Sequence, residues 1–148
     1  MNHNELDVQT LWDHVYQADQ NGYVMACAIG DEDFPGEHKT KGLATNHAYT
    51  LIGAYNVQGN QLVKVRNPWG SYEWKGAWHD KDPRWTNQIK KEVGFVGGED
   101  GIFFMSIIDY KEEFGSTTVC KVNDKYLYKF ITHEKRGEGN LTKFFVNG

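Results

Sequence analysis

The sequence predicts an α+β fold built on a mainly antiparallel sheet. Three observations carry that expectation. Only one long stretch has helical periodicity, and it lies near the start of the chain. Several apolar runs of strand length follow. Turn residues and short loop helices separate them, in place of the regular crossover helices that a parallel sheet needs.

The first element is a helix from Asn4 to about Ala18, because Val8, Leu11, Trp12 and Val15 fall on one stripe at i, i+3, i+4 and i+7. Asn2 or Asn4 is its expected cap, and Asn21-Gly22 its end. Tyr23 to Ile29 is a nearly continuous apolar run between glycines, which reads as a strand covered on both faces. Gly30 to Gly42 is acidic and polar and reads as a surface loop. His47 to Tyr55 and Leu62 to Arg66 are strands joined through Asn56 to Gln61, an expected hairpin. If Tyr55 faces Leu62, His47 falls within three residues of the level of Asn67, and a bulge can close the gap.

Asn67-Pro68-Trp69-Gly70 ends that hairpin, because proline cannot donate to a ladder. In the Trp-rich stretch that follows, Asp82-Pro83 resembles a helix start, with the helix ending near Gly94. Trp74, Trp78 and Trp85 suit a core. Ile102 to Ile108 reads as a buried strand, Asp109 to Phe114 as one or two helical turns and Thr117 to Val122 as a strand. Beyond residue 123, Tyr126 to Ile131 and Leu141 to Val146 are further expected strands.

Composition excludes several classes of function. Sixteen basic against twenty acidic residues gives a net charge of −4, which favours no nucleic acid or acidic membrane surface. Eight Phe, eight Tyr and five Trp in 148 residues describe a folded chain. There is no apolar run of membrane-spanning length, and no basic, apolar leader opens the sequence. Two widely spaced cysteines form neither a disulfide framework nor a metal motif, so a reducing cytoplasm is the expected compartment.

One constellation carries chemistry. A His at the start of one strand and an Asn just past the end of its hairpin partner can share one edge of a groove. That is the arrangement a thiol protease needs besides its nucleophile. The imidazole moves the proton, and the amide fixes its orientation without adding charge. Trp69 can cover the pair and exclude water. A satisfied structural histidine is the plainer reading of the same spacing.

The stretch from Gly42 to Trp78 decides between them. It resembles the histidine and asparagine half of the catalytic core of calpains, the calcium-dependent papain-like cysteine proteases. The family pattern is Gly-hydrophobic-x-x-x-His-Ala-Tyr, then Arg-Asn-Pro-Trp-Gly, then Glu-Trp-x-Gly-x-Trp. Here it reads His47-Ala48-Tyr49, Arg66 to Gly70, and Glu73-Trp74 with Gly76 and Trp78. The resemblance runs from about Leu6 to Asp124. It implies that residues 1–123 are the second lobe of a papain-like core and that 124–148 are a linker or the start of a following β-sandwich. It further implies His47 as general base and acid, Asn67 as its orienter and Trp69 as an aromatic lid. The implied substrates are proteins.

The family nucleophile, in a Gln-x-x-x-Gly-x-Cys-Trp segment, is absent. Cys27 sits in an apolar strand before Asp31, Glu32 and Asp33, where a thiol stays neutral. Cys120 follows in a β-branched run. The implied partner is therefore a first lobe that supplies the cysteine, with this chain inactive alone. The alternative is a catalytically silent calpain-like module that binds proteins. The resemblance also implies a Ca²⁺ site formed by Glu73, Asp80, the Gly98 carbonyl and Asp100. Ile102 stands where the family has another acid, which moves affinity toward the weak end, about 10⁻⁴ to 10⁻³ M, or removes it.

Overall fold

The computed structural model describes residues 1–30 and 41–121, and within them five strands form one antiparallel sheet. These are β1 (Val24–Ile29), β2 (His47–Val57), β3 (Asn60–Arg66), β4 (Ile102–Ser106) and β5 (Ser116–Cys120), in the order β4-β3-β2-β1-β5. The strands expected at 126–131 and 141–146 lie outside the described residues, as does most of the loop expected between Gly30 and Gly42.

Among the described residues three α-helices decorate the sheet, and their capping residues explain where each begins. Asn2 caps a short 3-10 turn, His3–Glu5, and Asp7 caps the long helix α1 (Val8–Gln20). The Asp7 carboxylate accepts the Thr10 N–H at 2.8 Å and the Thr10 hydroxyl at 2.6 Å. The helix thus starts at Val8, the first residue of the apolar stripe, and not at the expected Asn4, because Leu6 is extended and separates the two turns. Helix α2 (Asn87–Glu92) likewise begins at the Thr86 cap, not at Asp82-Pro83. Asp82 instead closes the preceding turn, accepting the N–H groups of Trp78 at 2.8 Å and Arg84 at 2.9 Å. Ser106 ends β4 early, because its hydroxyl caps α3 (Ile107–Glu113), drawing Ile107 and Ile108 out of the expected strand.

The hairpin fixes the register. Tyr55 pairs with Leu62, and Gln58-Gly59 forms the turn with φ of 49° and 78°, the two positive values a type I′ turn requires. Between Leu51 and Gly53 the register slips by one at a bulge. Tyr49, Leu51 and Ala54 therefore share one face despite their mixed parity.

That face packs Met25, Leu51, Val63 and Phe103 against Leu11, Trp12 and Val15 of α1 and Tyr110 of α3. Each fully buried large side chain contributes about 1.5–3 kcal/mol. Among the described residues, the other face is covered toward the hairpin, where Trp78, Trp85, Ile89 and Val93 pack on Val57, Leu62 and Phe104. Strand β1 therefore alternates: Met25, Cys27 and Ile29 are buried, whereas Val24 and Ala26 are exposed. An antiparallel sheet can leave one face open, so an unbroken apolar run did not require two covers.

Candidate active site

His47 opens β2 and Asn67 directly follows β3, at the end of the sheet opposite the hairpin turn. Beyond the bulge, paired positions sum to 116, as in Thr50 with Arg66. This sets Asn67 level with Tyr49 and makes His47 its diagonal neighbour on the same face, within reach of long side chains. The His47 Nε2 to Asn67 Oδ1 distance is 2.9 Å.

Two backbone groups decide which way the Asn67 amide points. Its Oδ1 also accepts the Trp69 N–H at 3.1 Å, and its Nδ2 donates to the Tyr72 carbonyl at 3.3 Å. A carbonyl oxygen only accepts, so His47 Nε2 must donate to it. The neutral imidazole then carries its proton on Nε2 and leaves Nδ1 as the basic nitrogen. Asn67 is fully buried, so its side chain is shielded from water, while the three bonds it makes run outward to less buried partners.

The surroundings hold the ring from two sides. Trp69 lies over His47 with ring centroids 3.9 Å apart and planes tilted by 33°, and Trp69 itself is 60% exposed. Tyr49 meets the ring edge-on at 4.8 Å. The Tyr49 hydroxyl donates to the Ala44 carbonyl at 3.0 Å and accepts the Ala44 N–H at 2.7 Å, which pins the chain entering β2. Tyr72 adopts φ of 60°, an unfavourable value for a tyrosine, while presenting its carbonyl to Asn67. Sequence reasoning singled out neither tyrosine, although Tyr49 lies in the His-Ala-Tyr motif.

The four expected calcium ligands lie in neighbouring loops, but the acids turn to backbone groups. Glu73 Oε1 accepts the Gly101 N–H at 2.7 Å, Asp80 Oδ2 the Gly98 N–H at 2.7 Å and Asp100 Oδ1 the Ile102 N–H at 2.8 Å. Burial, together with the nearby charges of Asp80 and Asp100, raises the Glu73 pKa from its ordinary value. A cleft of about 600 Å³ is lined by Glu73 and Asp80 together with Tyr72, Trp74 and Phe95. Among the described residues, no three His, Cys, Asp or Glu side chains converge closely enough to hold a metal ion.

The two cysteines sit in different settings. Cys27 lies in the core opposite Tyr49, and burial pushes its thiol up to about 12, which leaves it protonated and unreactive. Cys120 pairs with Val24, while His47 pairs with Ile29. Five residues of strand, about 17 Å, separate the two levels.

The profile of a family described as "Calpain family cysteine protease" matches residues 1–121. A calpain of Schistosoma mansoni is 38% identical over 122 residues, covering 76% of this chain and 16% of that protein. Human calpain-14 is 36% identical over 118 residues, covering 76% and 17%. The calpain-type cysteine protease DEK1 of Arabidopsis thaliana is 32% identical over 130 residues, covering 86% and 6%. The chain thus spans less than a fifth of the length of each of these three relatives. No helix among the described residues is long and apolar enough to cross a membrane.

Proposed function

Because the chain belongs to the calpain family of cysteine proteases, we propose that it is the His/Asn lobe of a two-lobed peptidase core, working in the cytoplasm on protein substrates. The nucleophilic cysteine comes from a first lobe outside this chain. The carrying observation is the 2.9 Å bond from His47 to an Asn67 amide whose orientation two backbone groups already set.

In this reading His47 Nδ1 takes the proton of the incoming thiol, and the thiolate attacks the peptide carbonyl carbon. The imidazolium then gives that proton to the departing amine, leaving a thioester. Water, deprotonated by Nδ1, cleaves the thioester and restores the thiol. Throughout, Nε2–H stays on Asn67 Oδ1, and Trp69 keeps water from that bond. A silent binding module would have no use for a fixed tautomer, which favours the enzyme.

Joined to a calpain-family lobe bearing the cysteine, the chain is expected to hydrolyse peptides, and His47→Ala to lower kcat by about 10²- to 10⁴-fold. Wild-type kcat in that variant would remove His47 from the chemistry. His47-dependent labelling of Cys27 by a peptidyl thiol reagent on the chain alone would show that no second lobe is needed.

Glu73, Asp80, Asp100 and the Gly98 carbonyl are the groups that would meet calcium, but as arranged they do not fit it. Each acid is bonded to a backbone N–H and the three do not converge. No catalytic step runs through the ion. Calcium binding, if it draws the loops together, belongs at about 10⁻⁴ to 10⁻³ M. Calorimetry with an Asp100→Asn control reads this directly, and the absence of heat through that range retires the site.

A further inference from the structure

Side-chain carboxylates hold both peptide groups that flank Gly101. The Gly101 N–H donates to Glu73 Oε1 at 2.7 Å, and the next N–H, that of Ile102, donates to Asp100 Oδ1 at 2.8 Å. Between these two anchors the Gly101 carbonyl accepts the Asn67 N–H at 2.8 Å. Gly101 is buried at φ of 82°, and a Cβ there would lie 2.7 Å from the Asn67 carbonyl oxygen and 2.8 Å from Gly70 Cα. Only glycine fits so close to Asn67.

This contact extends the β3–β4 ladder past its last pair, Arg66 with Ile102, to residue 67. The following residue is Pro68, which has no N–H to offer. We propose that Glu73 and Asp100 are positioning residues for Asn67. They set the Gly101 peptides, which in turn fix the backbone from which the carboxamide reaches His47. The inference rests on the reading of His47 and Asn67 as the catalytic pair. It gives the two acids a task independent of any ion, because the oxygens bonded to N–H groups are the ones that carry it. A 1 Å shift at Asn67 would take a 2.9 Å bond outside hydrogen-bonding range.

Nuclear magnetic resonance on the isotopically labelled 148-residue chain tests this without any protease activity. Glu73→Ala is expected to speed amide exchange at Gly101 and Asn67 by about tenfold. It should also shift the His47 ring nitrogens, while the Met25 and Val63 amides in the central strands keep their wild-type rates. Glu73→Gln retains an acceptor oxygen without the charge and is expected to restore exchange to within about threefold of wild type. If Glu73→Ala does not fold, Asp100→Ala at an exposed position must show the same loss at Asn67. Wild-type exchange at Asn67 and unchanged His47 ring nitrogens in a folded alanine variant overturn the proposal. Failure of the catalytic-pair reading looks different, because the unmodified chain would then carry its His47 proton on Nδ1.

Discussion

The two ends of the β2–β3 pair are held by different means. At the hairpin end, Gln58 and Gly59 close the turn in two residues, and paired backbone groups continue to Val57 and Asn60. At the site end the ladder stops, and side chains take over the backbone groups it leaves. Asn67 holds the Trp69 N–H and the Tyr72 carbonyl, Glu73 the Gly101 N–H, and Tyr49 both backbone groups of Ala44. Irregular backbone keeps its polar groups satisfied only when side chains supply the partners. The site can therefore depart from sheet geometry, but each such side chain becomes hard to replace.

The largest expected separation of the two ends is in alkali. Behind the site lie three weak acids that burial holds in the neutral form. The Cys27 thiol and Tyr49 phenol are each pushed up to about 12, and the Tyr110 phenol is raised well above its usual value. A raised folded pKa means that the unfolded chain gives up its proton first. Cys27 thus contributes fully below its ordinary value of 9.0, and that contribution is lost as pH climbs through about 12. Urea unfolding between pH 8 and 11 should show stability falling above pH ~9 from Cys27 and more steeply above pH ~10 from the tyrosines, each group adding at most about 1.4 kcal/mol per pH unit. Cys27→Ala should flatten the fall, whereas Gln58→Gly at the hairpin end should leave its slope intact. An unchanged slope in Cys27→Ala would mean that the thiol does not sense the core.

The same contrast explains how much could be read from the sequence. The hairpin register was legible because alternation and turn chemistry are local, and Tyr55 does face Leu62. The pairing of His47 with Asn67 was legible as a motif, and its geometry only approximately. The bulge after Leu51 reduces the offset from three residues to two, and the Asn67 side chain spans what remains. The bonds that fix the site were not legible. Glu73 meets Gly101 twenty-eight positions away, and no periodicity links a loop acid to a distant N–H. Helix starts were misplaced for a related reason. Asp82-Pro83 has the chemistry of a cap, but tertiary packing of Trp78 and Trp85 turned its carboxylate to a loop.

A paired substitution tests the asymmetry with smaller effects. Asn67→Ala removes a buried side chain that serves three partners, leaving the Trp69 N–H and the Tyr72 carbonyl without their bonds. A stranded group costs about 1–3 kcal/mol when buried and less here, where both bonds are only part-buried, so a loss of about 1–3 kcal/mol is expected by urea unfolding. Gln58→Gly should move stability the other way or leave it unchanged. Glutamine at φ of 49° is strained by about 1–2 kcal/mol, which glycine relieves, while the looser unfolded chain offsets about 0.5–1 kcal/mol. The net change at the turn is therefore between zero and about 1.5 kcal/mol of added stability. Equal losses at both positions would mean that the turn depends on its side chain as the site does. The site end would then have no special reliance on side-chain bonds.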